Sequence, residues 1–215
     1  MKRASLFQWN LTLIIILINV FLFVLISLMS LFFDQITLWD FVAIKPANIL
    51  DGKYLWTFLT SMFMHAGPFH LFVNMLSLFF VGSFVERLIG QRRYLYFYLS
   101  SGLFAAAFFV LSSLIFQGDF GTYAVGASGA LFGLIGLLML LTPDLPVYVM
   151  FVPIPIRLKY AAPGMLVLLW LISIAGDIPI GNTAHLGGLL FGLAYGFYLR
   201  KKYKRKVRMI ARYFR

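Results

Sequence analysis

Six apolar runs organise the chain. They cover residues 11–33, 70–89, 94–116, about 128–142, about 161–175 and about 183–199, and runs of this kind predict membrane-crossing helices. Between the first two lies a long connection, 34–67. Trp39, Phe41, Tyr54, Trp56 and Phe58 are spread along it, around a break at Pro46, Asn48, Asp51 and Gly52. So aromatic a connection is expected to lie partly embedded beside the bundle, because aromatic belts sit at membrane interfaces. No internal repeat is visible, which weighs against the inverted-repeat design of many transporters. The pattern reads as an all-α polytopic membrane protein, with a short N-terminus (1–10), a six-span domain (11–199) and a basic tail (200–215).

Composition agrees. The 215 residues are 62% hydrophobic and 12% charged, against roughly 45–50% and about 25% for soluble chains, which leaves too few polar residues to cover a soluble surface. A net charge of +11 would suggest nucleic acid in a soluble protein; here it is read as topology, with no nucleic-acid partner. Six spans place all but Lys45 and Lys53 of the 18 Lys and Arg on the side of the N-terminus, and the positive-inside bias then puts both termini in the cytoplasm. The first run follows Met1-Lys2-Arg3, is too long for a signal-peptide core and has no small-x-small site after it, so it reads as a retained span of a multi-pass cell-membrane protein. The tail mixes basic residues with Tyr203, Val207, Met209, Ile210, Tyr213 and Phe214, either to bind anionic head groups or to anchor the topology. Asn10-Leu11-Thr12 matches a glycosylation sequon, but on the cytoplasmic side it is silent. The absence of Cys excludes disulfides, thiol nucleophiles and thiolate metal sites.

Ionisable groups at membrane depth cost at least a few kcal/mol and ask for a reason. His65, His70 and His185 all fall near outer span ends, and Asn74 shares a helix face with His70. The fourth run makes about 22 Å of helix, at 1.5 Å per residue, against about 30 Å of hydrocarbon. Its N-terminus is therefore expected below the outer surface, where irregular backbone such as the glycine-rich 118–129 must line a shielded or water-filled cavity. Ser128 would open that helix, whose unpaired N–H groups suit a developing oxyanion. Taken alone, a serine among glycines is a packing residue, His185 is a polar helix start, and the Gly-x-x-x-Gly repeats at Gly129, Gly188 and Gly192 only let helices approach. Together, Ser128 and His185 open two glycine-rich helices on one side, as a serine–histidine pair requires.

At these residues the chain resembles the rhomboid intramembrane serine proteases. The resemblance rests on His65-x-x-x-x-His70-x-x-x-Asn74, on Gly126-Ala127-Ser128-Gly129 and on Ala184-His185-x-Gly187-Gly188-x-x-x-Gly192, in order, over about residues 10–199. It implies a compact six-transmembrane-helix bundle without metal or other cofactor. Ser128 looks like the nucleophile and His185 the general base, with His70, Asn74 and the Ser128 backbone N–H as the oxyanion hole. Supporting positions are His65, Gly126, Gly129, Gly188 and Phe132, the last standing one turn after the serine where many relatives have Tyr. Glu86-Arg87 resembles the family's acidic–basic pair and reads as structural. Trp56-Thr57 stands where many relatives have Trp-Arg, which puts the anchoring of the outer connection in question.

The resemblance implies peptide-bond hydrolysis in single-span membrane protein substrates, at a site opening to the outer face. No carboxylate is well placed for a triad; Asp177 is nearest in sequence to His185. Three rival readings remain: an inactive rhomboid-like protein that binds transmembrane clients, a small transporter with a histidine proton relay, and zinc held by His65, His70 and His185.

Overall fold

Each of the six apolar runs is helical in a computed structural model, which describes residues 10–149, 153–178 and 180–214. Lys2, Arg3 and Arg215, which the topology argument used, lie outside the described residues. Helix α1 spans Leu11–Met29, and residues 30–33 of the first run have left the helix. Asn10 is its N-cap: the side-chain oxygen accepts from the Thr12 N–H at 3.1 Å. The sequon residues thus serve as a helix start. Glu86 completes it, accepting from the Leu11 and Thr12 N–H groups, each at 2.9 Å, and from the Thr12 hydroxyl at 2.6 Å. A carboxylate set against orphan N–H groups at the positive end of a helix ties α1 to the second run.

The connection 34–67 folds into α2 (Gln35–Val42), α3 (Pro46–Leu50) and α4 (Thr57–Thr60), the last continuing into a 3-10 turn, Ser61–Phe63. Asp34 caps α2 by accepting from the Thr37 N–H, and Pro46 starts α3 at a position where no N–H is needed. Trp56 donates its ring N–H to the Phe41 carbonyl at 2.9 Å, and Phe41, Tyr54 and Trp56 form a ring cluster. Thr57 is buried and its hydroxyl donates to Tyr54 O. The connection is therefore anchored with Thr at position 57, by the indole and its aromatic neighbours.

The second run is one continuous helical stretch, α5 (Pro68–Ser77), a π-helical turn (Leu78–Gly82) and α6 (Ser83–Ile89). Gly90, at φ 85°, reverses the chain into α7 (Gln91–Ser112), which starts before the apolar run and takes Gln91, Arg92 and Arg93 into its first turn. Helix α8 (Ser128–Leu141) lies at the centre: Gly129 through Leu134, Gly136 through Leu138 and Leu141 are buried. One exception to the all-α expectation follows, a hairpin of β1 (Pro146–Val147) and β2 (Ile156–Arg157), paired antiparallel in a proline-rich stretch that resists helix. Helices α9 (Leu158–Gly176), α10 (Asn182–Lys202) and α11 (Lys204–Tyr213) follow, α10 and α11 taking up most of the basic tail.

Helices α8 and α10 touch backbone to backbone. A Cβ at Gly188 would collide with the Gly129 carbonyl oxygen, one at Gly192 with that of Gly133, and one at Gly136 with that of Leu189. This is the close approach that small residues permit. Among the described helices, α1, Pro68–Ile89, α7 and α9 are long and apolar enough to cross a membrane, while α8 is apolar but shorter. Both described chain ends lie at one end of the bundle, since Glu86 holds the start of α1 and Phe214 packs on Phe84, with 5.9 Å between ring centroids. The N-termini of α8 and α10 lie at the other end.

Candidate active site

Ser128 is the first residue of α8. The turn before it needs Gly126, whose φ is 122° and whose Cα faces the His70 ring: a Cβ there would lie 2.9 Å from His70 Cε1, 3.0 Å from Nε2 and 3.6 Å from Ser128 Oγ. Gly126 is held from behind by its own N–H, which donates to Ser61 O at 2.8 Å. One turn into α10, His185 reaches across the glycine contact, and its Nε2 lies 2.8 Å from Ser128 Oγ. Ser128 is half-buried and His185 is buried.

Phe132 lies flat on the imidazole, with ring centroids 4.6 Å apart and planes 20° from parallel. The structure thus brings together Ser128, His185, Phe132, Gly126, Gly129 and Gly188. Asp177 is not part of the cluster: it ends α9 in the left-handed conformation, at φ 49°. His185 Nδ1 is buried without a hydrogen-bond partner among the described residues. The ring is oriented by stacking and helix packing, not by a carboxylate.

His70 Nδ1 accepts from the Ala66 N–H at 3.3 Å. In a neutral imidazole that leaves Nε2 as the protonated donor, on the side where Gly126 and Ser128 lie. Asn74, one turn on, donates one amide N–H to His70 O at 2.9 Å and keeps its second. His65 is buried and packs edge-on against the His70 ring at 5.2 Å between centroids, at the back of the cluster. Among the described residues no three His, Asp or Glu side chains converge as a metal ion requires.

Other contacts escaped the sequence reading. Asp40 accepts from the Tyr123 hydroxyl at 2.6 Å and from Asn48 Nδ2 at 2.7 Å, while Ile44 and Ala124 exchange backbone hydrogen bonds. They latch the connection 34–67 onto the strand of chain that delivers Ser128. Thr183, two residues before His185, donates to Asp119 Oδ2 at 3.2 Å. Burial raises the Asp119 pKa above the ordinary carboxylate value, and the Thr183 hydrogen bond opposes that rise. No local spacing signals such contacts, because the partners are far apart in sequence.

The family model for the rhomboid domain matches residues 52–202. RHOMBOID-like protein 2 of Arabidopsis thaliana is 40% identical over 161 residues, which are 73% of this chain and 46% of that protein. RHOMBOID-like protein 1 of the same plant is 35% identical over 167 residues, 76% of this chain and 39% of the relative. Rhomboid protease GluP of Bacillus subtilis is 30% identical over 184 residues, 80% of this chain and 33% of GluP. The chain spans less than half the length of each of these relatives. With the apolar helices, the match makes this a helical multi-pass membrane protein. The chain belongs to the rhomboid family.

Proposed function

We propose that this chain is an intramembrane serine endopeptidase that cuts other proteins in or near their transmembrane helices. The observation that carries the reading is the 2.8 Å contact of Ser128 Oγ with His185 Nε2, at the mouth of two helices locked by glycine. The family match and the protease named among the relatives support it.

In the proposed reaction His185 Nε2 takes the Ser128 hydroxyl proton as Oγ attacks the scissile carbonyl carbon. The tetrahedral oxyanion is met by the Ser128 backbone N–H at the start of α8, by His70 Nε2–H and by the free N–H of Asn74. His185 returns the proton to the leaving nitrogen, and water, activated by the same base, hydrolyses the acyl-enzyme. Phe132 keeps the imidazole plane fixed through both steps.

In this reading all six helices cross the membrane and both termini are cytoplasmic, which sets the site toward the outer face. A substrate helix hides its carbonyls in its own hydrogen bonds, so it must unwind before attack. Spans with Gly, Pro or small polar residues near their outer end are the preferred class. Entry beside α9 fits its loose packing. Only Leu158, Ala161, Ala162 and Leu166 of this helix are buried, Pro163 lies inside it, and Leu168, Leu171 and Ile174 are exposed.

The test is cleavage of a tagged single-span substrate by purified protein, beside Ser128→Ala, His185→Ala and Asn74→Ala. Ser128→Ala and His185→Ala are expected to abolish cleavage and fluorophosphonate labelling. Asn74→Ala slows cleavage by about 10²-fold, the effect of losing one oxyanion donor. Cleavage that survives Ser128→Ala refutes the mechanism, and loss of cleavage to a chelator would restore the zinc reading. Binding of the span without cleavage, by an intact wild type in bilayers, would favour the inactive client-binding reading.

A further inference from the structure

At the end of the bundle opposite Ser128, two cations converge on one ring. The Arg93 guanidinium lies 5.8 Å from the Tyr203 ring centroid and the Lys202 ammonium 5.7 Å from the same centroid. They come from different elements, Arg93 from the first turn of α7 and Lys202 from the last turn of α10. Lys202 is further fixed by donating to the Tyr198 hydroxyl at 2.8 Å. Neither cation has a carboxylate within salt-bridge distance among the described residues, where the ion pairs are Lys53 with Asp51, and Arg157 and Lys159 with Asp144. Like charges gathered in this way repel unless an anion joins them, and a cation in the first turn of a helix also opposes the helix dipole.

Arg93 also stands at an open groove of about 250 Å³ between α7 and α10, lined by Arg93, Tyr96, Phe97, Ser100, Phe191 and Tyr195. Its walls are aromatic: the Phe97 ring packs at 5.0 Å from Tyr195 and 5.7 Å from Phe191, between centroids. Arg93 and Ser100 stand two helical turns apart, about 10 Å. The groove is on the outside of the bundle, on helices that include the apolar spanning candidate α7, so its surroundings in a membrane are acyl chains. A polar pair of cations over an apolar aromatic trough matches one class of ligand in both halves.

We propose that Arg93 and Lys202 bind the phosphate of an anionic phospholipid whose acyl chain lies in the groove between α7 and α10. The tail carries many more basic residues, and Lys204, Arg205, Lys206 and Arg208 on α11 are exposed as Arg93 and Lys202 are, but none of those four lines the groove, as Arg93 does. They attract anionic membrane diffusely, whereas the groove selects a single lipid. The site stands apart from the Ser128 cluster, so it does not depend on the proposed catalysis.

The experiment is native mass spectrometry of delipidated full-length protein titrated with phosphatidylglycerol or with phosphatidylcholine of the same chains. Wild type is expected to retain one phosphatidylglycerol at least tenfold more tightly than phosphatidylcholine. Arg93→Gln with Lys202→Gln should abolish the preference. Ser100→Trp, which fills the trough and leaves both cations, should weaken retention of phosphatidylglycerol about as strongly. Lys204→Gln with Arg205→Gln should change neither. Equal retention of the two lipids by wild type overturns the proposal, as does a preference that survives the Arg93/Lys202 double substitution or is lost only with the tail residues. Displacement of phosphatidylglycerol by equimolar inorganic phosphate would assign the cations to a free anion and overturn the lipid assignment. A melting temperature unchanged from wild type establishes that each variant is folded.

Discussion

Gly188→Ala tests whether the approach of α8 and α10 sets the distance between Ser128 and His185. A Cβ at residue 188 collides with the Gly129 carbonyl oxygen, and it lies 3.0 Å from Gly129 C and 3.3 Å from Gly133 N. All three are backbone atoms, so no side-chain rotation relieves the contact, and the helices must separate by about an ångström to reach ordinary van der Waals distance. His185 is one turn before residue 188 and Ser128 adjoins Gly129, so the displacement falls on the 2.8 Å pair and takes it out of hydrogen-bond range. A misplacement of about 1 Å costs about 10²-fold in rate, and overpacking costs about 1–3 kcal/mol in stability. Initial cleavage rates and melting temperature, measured on one preparation, read both. Gly164→Ala on α9 is the control, because a Cβ there meets nothing within 4 Å; it should leave the rate unchanged and stabilise by up to about 1 kcal/mol. A Gly188→Ala protein that cleaves within about twofold of wild type refutes the reasoning, even if its melting temperature falls.

Phe132→Leu keeps an apolar side chain but removes the ring stacked on His185. A stack worth about 0.5–1.5 kcal/mol predicts a kcat fall of roughly two- to thirteenfold at unchanged KM, and an unchanged kcat would end the positioning role. Glu86→Gln turns one of the two acceptor oxygens into a donor, set against either the Leu11 or the Thr12 N–H, and should cost about 2 kcal/mol in a denaturation midpoint. An unaltered midpoint would show that α1 is held elsewhere. Asp119 has its carboxyl pKa raised by burial, so its folded state binds the proton more tightly than the unfolded chain. Its contribution is then fully present below about pH 4, the unfolded value, and is lost as pH rises through the folded pKa. Asp119→Asn, which can still accept from Thr183, should gain melting temperature relative to wild type as pH rises above about 4. A difference that does not vary with pH counts against this.

The chain order of apolar runs, glycines and punctuating polar residues determined the helices within a few residues. Helical membrane segments satisfy their own backbone, so local sequence suffices to place them. The same locality made Gly126-Ala127-Ser128-Gly129 and His185 legible as helix starts, and the Gly-x-x-x-Gly repeats legible as contact faces. It mistook the ends: α7 absorbed Gln91, Arg92 and Arg93 after the turn at Gly90, because charged residues continue a helix as apolar ones do, while residues 30–33 left α1 and residues 113–116 left α7 although the apolar runs continue through both. Phe132 as the support of the imidazole and the lack of a carboxylate for a triad were already legible from the residues and the resemblance; the tertiary structure alone gave the stacked geometry of the two rings and turned His70 Nε2 toward Gly126. It alone joined Glu86 to α1, Asp40 to Tyr123 and Asp119 to Thr183. Those pairs are 64 to 83 residues apart; a hydrogen bond at that separation leaves no periodicity in the chain, since it depends on where packed helices bring two side chains and not on the spacing of either one.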